Sequence, residues 1–352
     1  MATVNTTNKS RKNMPLLNTI NSKIVKKISY VEKALTYLPF KSSSANRGYE
    51  RIQVMKNNSL FVFILALLLA LVAHQNVYAQ HSIDVQRLTS EKDYYEALKI
   101  YESLPKRKVT PEAMISAGKS AWALSLPQKA IEEFEKALRT KDLTDTQKAR
   151  LLLSRGIIEY QEDRFRVAIL FAERVIKLLN NPSALRSKAW LLWGESLSSL
   201  KSYGAAEEKY KNALKESDPE ELPNIYYLLG SAELKLGKLK EARENFERIP
   251  LQHAQAPQAM RHLAEISLQE KKYSQVAFWL ERGRRDYPDQ FIDSWTDYAL
   301  VQAAINNNEK EKVISLQTQA GNKYPPSDEW LSLLNAAVEE YLWSDRVDIT
   351  AN

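Results

Sequence analysis

Trp190-Leu191-Leu192-Trp193-Gly194, then Ala206, Tyr210 and Ala213, then Asp218-Pro219: this stretch decides how the chain folds. Around Gly194 the residues are helix formers and large apolar groups, so the glycine falls inside a helix, where it costs about 1 kcal/mol relative to alanine. Such a cost implies a packing reason. Without a side chain, this helix can lie close against a second one that carries the small Ala206 opposite. An aromatic ring one turn later, at Tyr210, fills the space beside them.

The same arrangement recurs on both sides. Gly118, Gly156, Gly194 and Gly230 are each followed twelve residues later by Ala130, Ala168, Ala206 and Ala242, and Ala264 with Val276 keeps the offset. Successive copies lie 38, 38, 36 and 34 residues apart. Four residues beyond the second small position come Phe134, Ala172, Tyr210, Phe246 and Leu280, and three further come Ala137, Val175, Ala213, Ile249 and Gly283. Lone helix glycines are usually incidental, but a phased set is the signature of a repeat array. Thr110-Pro111, Asn181-Pro182, Pro223 and Pro257 punctuate the starts of first helices, where proline forfeits no hydrogen bond. Short turns such as Ser202-Tyr203-Gly204 and Leu236-Gly237 lead into the second helices.

The pattern resembles the tetratricopeptide repeat, W-x2-L-G-x2-Y…A-x3-F…P, and the third copy matches it best. Glu159 and Glu233 depart from it, standing where the motif has tyrosine. The resemblance implies an all-α solenoid of antiparallel helix pairs wound into a right-handed superhelix, with about five clear repeats and degenerate terminal ones. The clear repeats span residues 111–288. Residues 80–110 form a partial repeat through Ala97 and Tyr101, and 289–326 a degenerate one with Val313 and Pro325 in register. Residues 327–352 form a capping helix and tail, with Trp330, Leu331, Leu334, Val338 and Tyr341 on one face.

The 352 residues carry 50 Lys+Arg against 43 Asp+Glu, a net +7, with the excess confined to one end. Residues 1–59 hold eleven basic residues against Glu32 and Glu50, a net +9, whereas residues 80–352 sum to −2. A nucleic-acid function read from the overall charge would therefore be an artefact of the leader. Between these parts Leu60–Ala73 is an uninterrupted apolar run of fourteen residues. A spanning helix needs about 20 such residues and a secretory signal about 7–15. Met55-Lys56 supplies a short positive n-region before it, and Val77-Tyr78-Ala79 followed by Gln80 a cleavage site after it. Residues 55–79 thus read as a signal peptide, with 1–54 an over-extended start, or as a signal anchor of about twenty residues behind a basic tail. In that tail Ile20, Ile24, Ile28, Val31, Leu35 and Leu38 follow helical spacing. Both readings put the body outside the cytoplasm, in a bacterial periplasm, and the membrane is touched only through residues 60–79 if uncleaved.

Catalytic chemistry finds little to rest on. The chain has no cysteine, which removes disulfides and thiolate sites, and nine glycines without a phosphate-cradling cluster. His253 and His262 are poorly spaced for a metal. Glu132, Glu133 and Glu135, and likewise Glu207 and Glu208, read as a solvated helix face interleaved with lysine. Asp289, Asp293 and Asp297 suit a helix N-terminus better than a calcium loop. The expectation is a chain that is not an enzyme and uses no cofactor or metal.

The resemblance further implies that first helices line a concave face that binds peptide segments. Its best-known mode grips a C-terminal carboxylate through Lys, Asn and Arg from successive repeats. The matching positions here hold Ile115 and Lys119, Leu153 and Ile157, Leu191 and Glu195, Tyr227 and Ser231, then Arg261 and Glu265; only Lys119 fits. The candidate groove is Arg150, Leu153, Ile157, Tyr160, Lys188, Leu191, Tyr227, Arg261 and His262, each of which could instead pack between repeats. Trp190, Trp193, Tyr226 and Phe246 read as core. The expected role is a protein–protein interaction scaffold or adaptor of the cell envelope, and the alternative is a membrane-anchored, self-associating subunit of an envelope assembly or secretion apparatus.

Overall fold

The structure is a computed structural model and describes residues 80–351, which are helical with no strand. The apolar run, Ala79 and everything before them lie outside the described residues. Gln80 is exposed at the start of a helix, α1, over 80–90. It is followed by α2 (Tyr94–Ser103), α3 (Pro111–Ala123), α4 (Pro127–Leu138), α5 (Asp145–Gln161), α6 (Phe165–Leu178) and α7 (Ala184–Ser199). Next come α8 (Tyr203–Glu216), α9 (Leu222–Lys235), α10 (Leu239–Glu247), α11 (Ala256–Gln269) and α12 (Tyr273–Asp286). Last are α13 (Ser294–Asn306), α14 (Lys310–Lys323) and α15 (Glu329–Ala351). Odd-numbered helices up to α13 are first helices, and from α3 onward each packs on the even-numbered helix that follows. That second helix packs on the next first helix, and α5, α7 and α9 also touch in sequence. This is a tetratricopeptide-like solenoid.

The glycine register works as its spacing implies. A Cβ built on Gly194 would stand 2.5 Å from Cε1 of Tyr210, and one on Gly230 would stand 3.0 Å from Cε1 of Phe246. Gly118 meets the ring of Phe134 in the same way. In the second copy, where Ala172 replaces the ring, the gap beside Gly156 is filled by Leu192 of the following repeat and by Phe171. The facing residues Ala130, Ala168, Ala206, Ala242 and Val276, and Ala264 in the glycine slot, are wholly buried. Gly283 accommodates Phe291, which enters from the connector after α12.

A second device shares this period and escapes sequence reading. Lys92, Ser125, Asp163, Lys201, Gly237, Lys271 and Asn308 all have φ between 57° and 73°. Each ends a first helix, and each end closes in the same two bonds. In α7 the amide of Lys201 donates to the Ser198 carbonyl at 2.8 Å and that of Ser202 to Leu197 at 2.9 Å. This is the Schellman closure, which satisfies two orphan carbonyls and reverses the chain in three residues. Only Gly237 has the residue type that makes such a turn legible.

Helix starts follow their caps. Thr110 accepts from the Ala113 amide at 3.2 Å ahead of Pro111. Pro223 and Pro257 each stand second in their helices. Pro182 does not open α7: the Ser183 hydroxyl accepts from the Arg186 amide at 3.3 Å, so the helix begins at Ala184. Asp293 caps α13, accepting from the Thr296 amide at 3.1 Å. Asp297 has another role from the one its position suggests. It is buried, and Arg284, Lys323 and the Tyr324 hydroxyl converge on its carboxylate. The final helix α15 packs on α13 and α14 through Leu331, Leu334 and Val338. Trp330 is not on that buried face; it is partly exposed and lies 5.1 Å from the ring of Tyr298.

Two stability predictions follow from this geometry. Gly194→Ala places a methyl group against the buried Tyr210 ring. Overpacking costs about 1–3 kcal/mol, only partly offset by the ~1 kcal/mol helix preference of Ala. Gly204→Ala, with nothing within 4 Å of its Cβ, leaves stability unchanged or slightly raised. Thermal melts of both variants check this, and a Gly194→Ala protein as stable as the parent would rule out the close-approach account. Lys201→Gly and Lys271→Gly relieve a left-handed backbone and each raise stability by about 0.5–1 kcal/mol. Urea titration reads that gain, and a lowered midpoint in both would contradict it.

Candidate functional site

One turn of the helix separates the positions that face neighbouring repeats from those left open to solvent. In the first helices the residue after the small packing position forms a row across the repeats: Lys119, Ile157, Glu195, Ser231 and Glu265. Lys119 is exposed, and the other four are partly buried. Ile157 within the row, and Tyr160 and Leu191 beside it, pack only partly against the clusters beneath them. Arg150 and Lys188 are exposed near the first-helix N-termini. Lys188 has Glu221 at 3.5 Å.

Several groove candidates turn out to be packing residues. Leu153 is buried in the core of the second and third copies. Arg261 is held by the Gln290 carbonyl at 2.5 Å and by Asp293 at 2.7 Å, with its guanidinium over the rings of Phe291 and Trp295. It ties the fifth repeat to the connector of the next one. His262 stacks 5.0 Å from the Phe246 ring and lies 3.2 Å from Glu265, and Tyr227 packs against both rings. The physical reason is shared: these side chains reach rings and carboxylates of their own or an adjacent repeat instead of solvent. The hydroxyl of Tyr160 reaches Ser199 at 3.4 Å, a link between adjacent first helices, and Trp122 donates to Gln161 at 2.9 Å one repeat earlier.

The acidic residues also need revision. Glu133 and Glu207 are not on a solvated face; both are buried. Glu133 accepts from the Tyr101 hydroxyl of the preceding repeat and from Lys136 at 2.7 Å. Burial alone would raise Glu207, but hydrogen bonds from Lys211 and Lys238, at 2.6 and 2.7 Å, hold it below the usual range. In the tyrosine slot of the motif, Glu159 is paired with Arg155 and Arg164, while Glu233 accepts from Asn245 at 2.7 Å and is pushed up by burial. These carboxylates are internal ties.

Glu195 differs from all of them. Burial raises its carboxyl, and it has neither a hydrogen-bond donor nor a cation within ion-pair distance among the described residues. Its neighbour is the hydroxyl of buried Tyr210, which lies beside Ser198 and is itself pushed up by burial and by the Glu195 charge. Glu265, at the equivalent place in the fifth repeat, is held down by its hydrogen bond to His262. Sequence reasoning had Glu195 in view only as a misfit to the carboxylate-gripping pattern. Its lack of a partner is a three-dimensional fact without a sequence signal.

Residues 191–257 and 227–290 match the tetratricopeptide repeat family. Among solved structures, the C-terminal part of a TPR repeat-containing protein from Cytophaga hutchinsonii superimposes with a TM-score of 0.58 at 14% identity, covering 71% of this chain and 98% of that one. The pilF protein of Pseudomonas aeruginosa gives a TM-score of 0.48 at 16% identity, covering 61% and 96%. No curated protein sequence matches the chain. The fold is tetratricopeptide-like, and tetratricopeptide domains typically bind proteins or peptides. Among the described residues no group of acidic and histidine side chains could hold a metal, and no helix is long and apolar enough to cross a membrane.

The Glu195 carboxyl makes a pH prediction. Its folded pKa lies above the ordinary 4.5, so folding takes up a proton between the two values, and stability falls as pH rises through that window. Glu195→Gln removes the penalty. The variant melts above the parent at pH 7, by less than about 1 kcal/mol because the group is only partly buried, and the gap closes below the ordinary carboxyl range. Melts at both ends of the window test this; a gap that ignores pH would refute the burial argument.

Proposed function

We propose that this protein is an exported, non-enzymatic scaffold of the bacterial cell envelope that holds a segment of a partner protein on its first-helix face. The observation that carries the reading is the row through Ile157, Glu195 and Ser231. There, partly buried apolar side chains stand beside a partly buried carboxylate that has no counter-ion among the described residues. Groups that fold stability does not employ are the ones a ligand can use. Export is supported by the sequence of residues 55–79, with its apolar run bounded by Met55-Lys56 and by Ala79 and Gln80.

A second reading, a subunit anchored by residues 60–79 that assembles with its neighbours, is favoured by α15. Its outward side chains Leu333 and Trp343 are 51% and 69% exposed, whereas the terminal helix of an isolated solenoid is expected to be polar outside.

Arg150→Ala with Ile157→Ser leaves the helical spectrum intact and lowers capture of a partner segment at least tenfold, read by retention of envelope proteins on the immobilised chain; an unaltered retention profile would contradict the groove. The intact mass of the protein recovered from the envelope separates the two readings. A chain beginning at Gln80 is released, and one retaining residues 55–79 is anchored.

A further inference from the structure

We infer that the partner segment carries a lysine or arginine whose cation seats on Glu195, with the neighbouring apolar part of the segment lying on Ile157, Tyr160 and Leu191. This inference rests on the groove reading above and names the chemistry of its occupant.

The argument begins with the repeat register. At the five equivalent positions the side chains are Lys119, Ile157, Glu195, Ser231 and Glu265, and their fates differ. Lys119 is in water. Ser231 donates to the Tyr227 carbonyl of its own helix at 2.7 Å. Glu265 has His262 at 3.2 Å, with Lys235 contributing favourably. Glu195 alone among these polar positions is drawn out of water with no donor supplied in return. The buried carboxylates Glu133, Glu159 and Glu207 each have a cation at hydrogen-bond distance, and Glu233 has the amide of Asn245, so each carboxylate that serves packing is given a donor. A partly desolvated, unpaired charge is a standing cost that an incoming cation relieves.

The surroundings define which cation. Leu191 lies one turn before Glu195 on the same helix, Ile157 holds the equivalent position on the preceding first helix that touches it, and Tyr160, Ser198 and Glu195 all neighbour the Tyr210 hydroxyl. An alkyl stem ending in an ammonium or guanidinium fits these surroundings, because the stem packs on apolar surface while the head meets the carboxylate. Seven residues earlier, about two helical turns or 10 Å away, Lys188 stands exposed, and Arg150 occupies the same place on the preceding first helix. The face is therefore not generally acidic. It does not attract basic segments indiscriminately but places one cation at one point and repels it elsewhere, which is how charge confers register more than bulk affinity.

The test uses the full chain and a randomised 12-residue peptide library, with selected peptides resynthesised so that each Lys or Arg is replaced by norleucine or citrulline. Selected peptides are expected to share one basic residue beside an apolar one, and its neutral replacement weakens binding about tenfold. Glu195→Gln weakens the parent peptide by the same factor and leaves the neutral peptide unchanged, the two losses not adding. Because Glu195→Gln is expected to fold at least as stably as the parent, a loss of binding is not a loss of structure; circular dichroism verifies this. Peptides that bind and respond to Ile157→Ser but are indifferent to the basic residue and to Glu195→Gln overturn the inference and leave the groove reading standing. A library that yields no binder, or binders untouched by any variant of this face, overturns both.

Discussion

The rest of the structure depends on one contact: the backbone of a first helix pressed against an aromatic ring of the second. At Gly194 and Tyr210 the approach is so close that even a methyl group has no room. The contact does two things. It fixes the rotational setting of the first helix about its own axis, because only the glycine side can turn inward. It also fixes axial register, because the ring must lie level with the glycine. Repeated at Gly118 with Phe134 and at Gly230 with Phe246, it sets successive first helices in the same orientation. The Schellman closure then joins each pair in a three-residue turn, leaving no loop slack to alter that setting.

Buried carboxylates tie the pairs to one another. Tyr101 donates across a repeat boundary to Glu133, and Lys238 crosses one to reach Glu207. Arg186 crosses within the third copy to Glu216 at 3.0 Å, and Arg261 crosses to Asp293. A cysteine-free array, in which each repeat contacts little besides its neighbours, has no covalent guard against slippage. Breaking such a tie leaves a partly desolvated carboxylate without its donor, so these ties penalise the wrong register more than they stabilise the right one.

Legibility in the sequence followed the specificity of residue types. Glycine at one phase has few explanations, so the helix pairs and their boundaries could be read from Gly118, Gly156, Gly194 and Gly230. The left-handed turns could not, because lysine, serine, aspartate and asparagine occupy six of the seven and carry no such restriction as types. Glu133 and Glu207 read as surface because they alternate with lysines, and what buries them is a tyrosine or lysine from a neighbouring repeat. Arg261, His262 and Tyr227 read as groove anchors since their types suit one, yet their side chains meet rings and carboxylates between 3 and 35 residues away, in elements that sequence reading places in no particular direction. Ile157, Tyr160 and Leu191 are partly buried and pack on the clusters beneath them, as Tyr227 does.

The packing contact and the open site are parts of one arrangement. Glu195 follows Gly194 directly, and the Tyr210 ring that presses on Gly194 ends in the hydroxyl beside Glu195 and Ser198. The closeness that excludes a methyl group at Gly194 is therefore also what sinks the next side chain below the helix surface, among Tyr160, Leu191 and the buried hydroxyl. Were the helices held farther apart, Glu195 would gain water, lose its raised affinity for a proton, and have no more need of a cation than any surface glutamate. The depth of that carboxylate is tied to the repeat packing itself, so the contact that serves folding also sets the charge environment of the first-helix face.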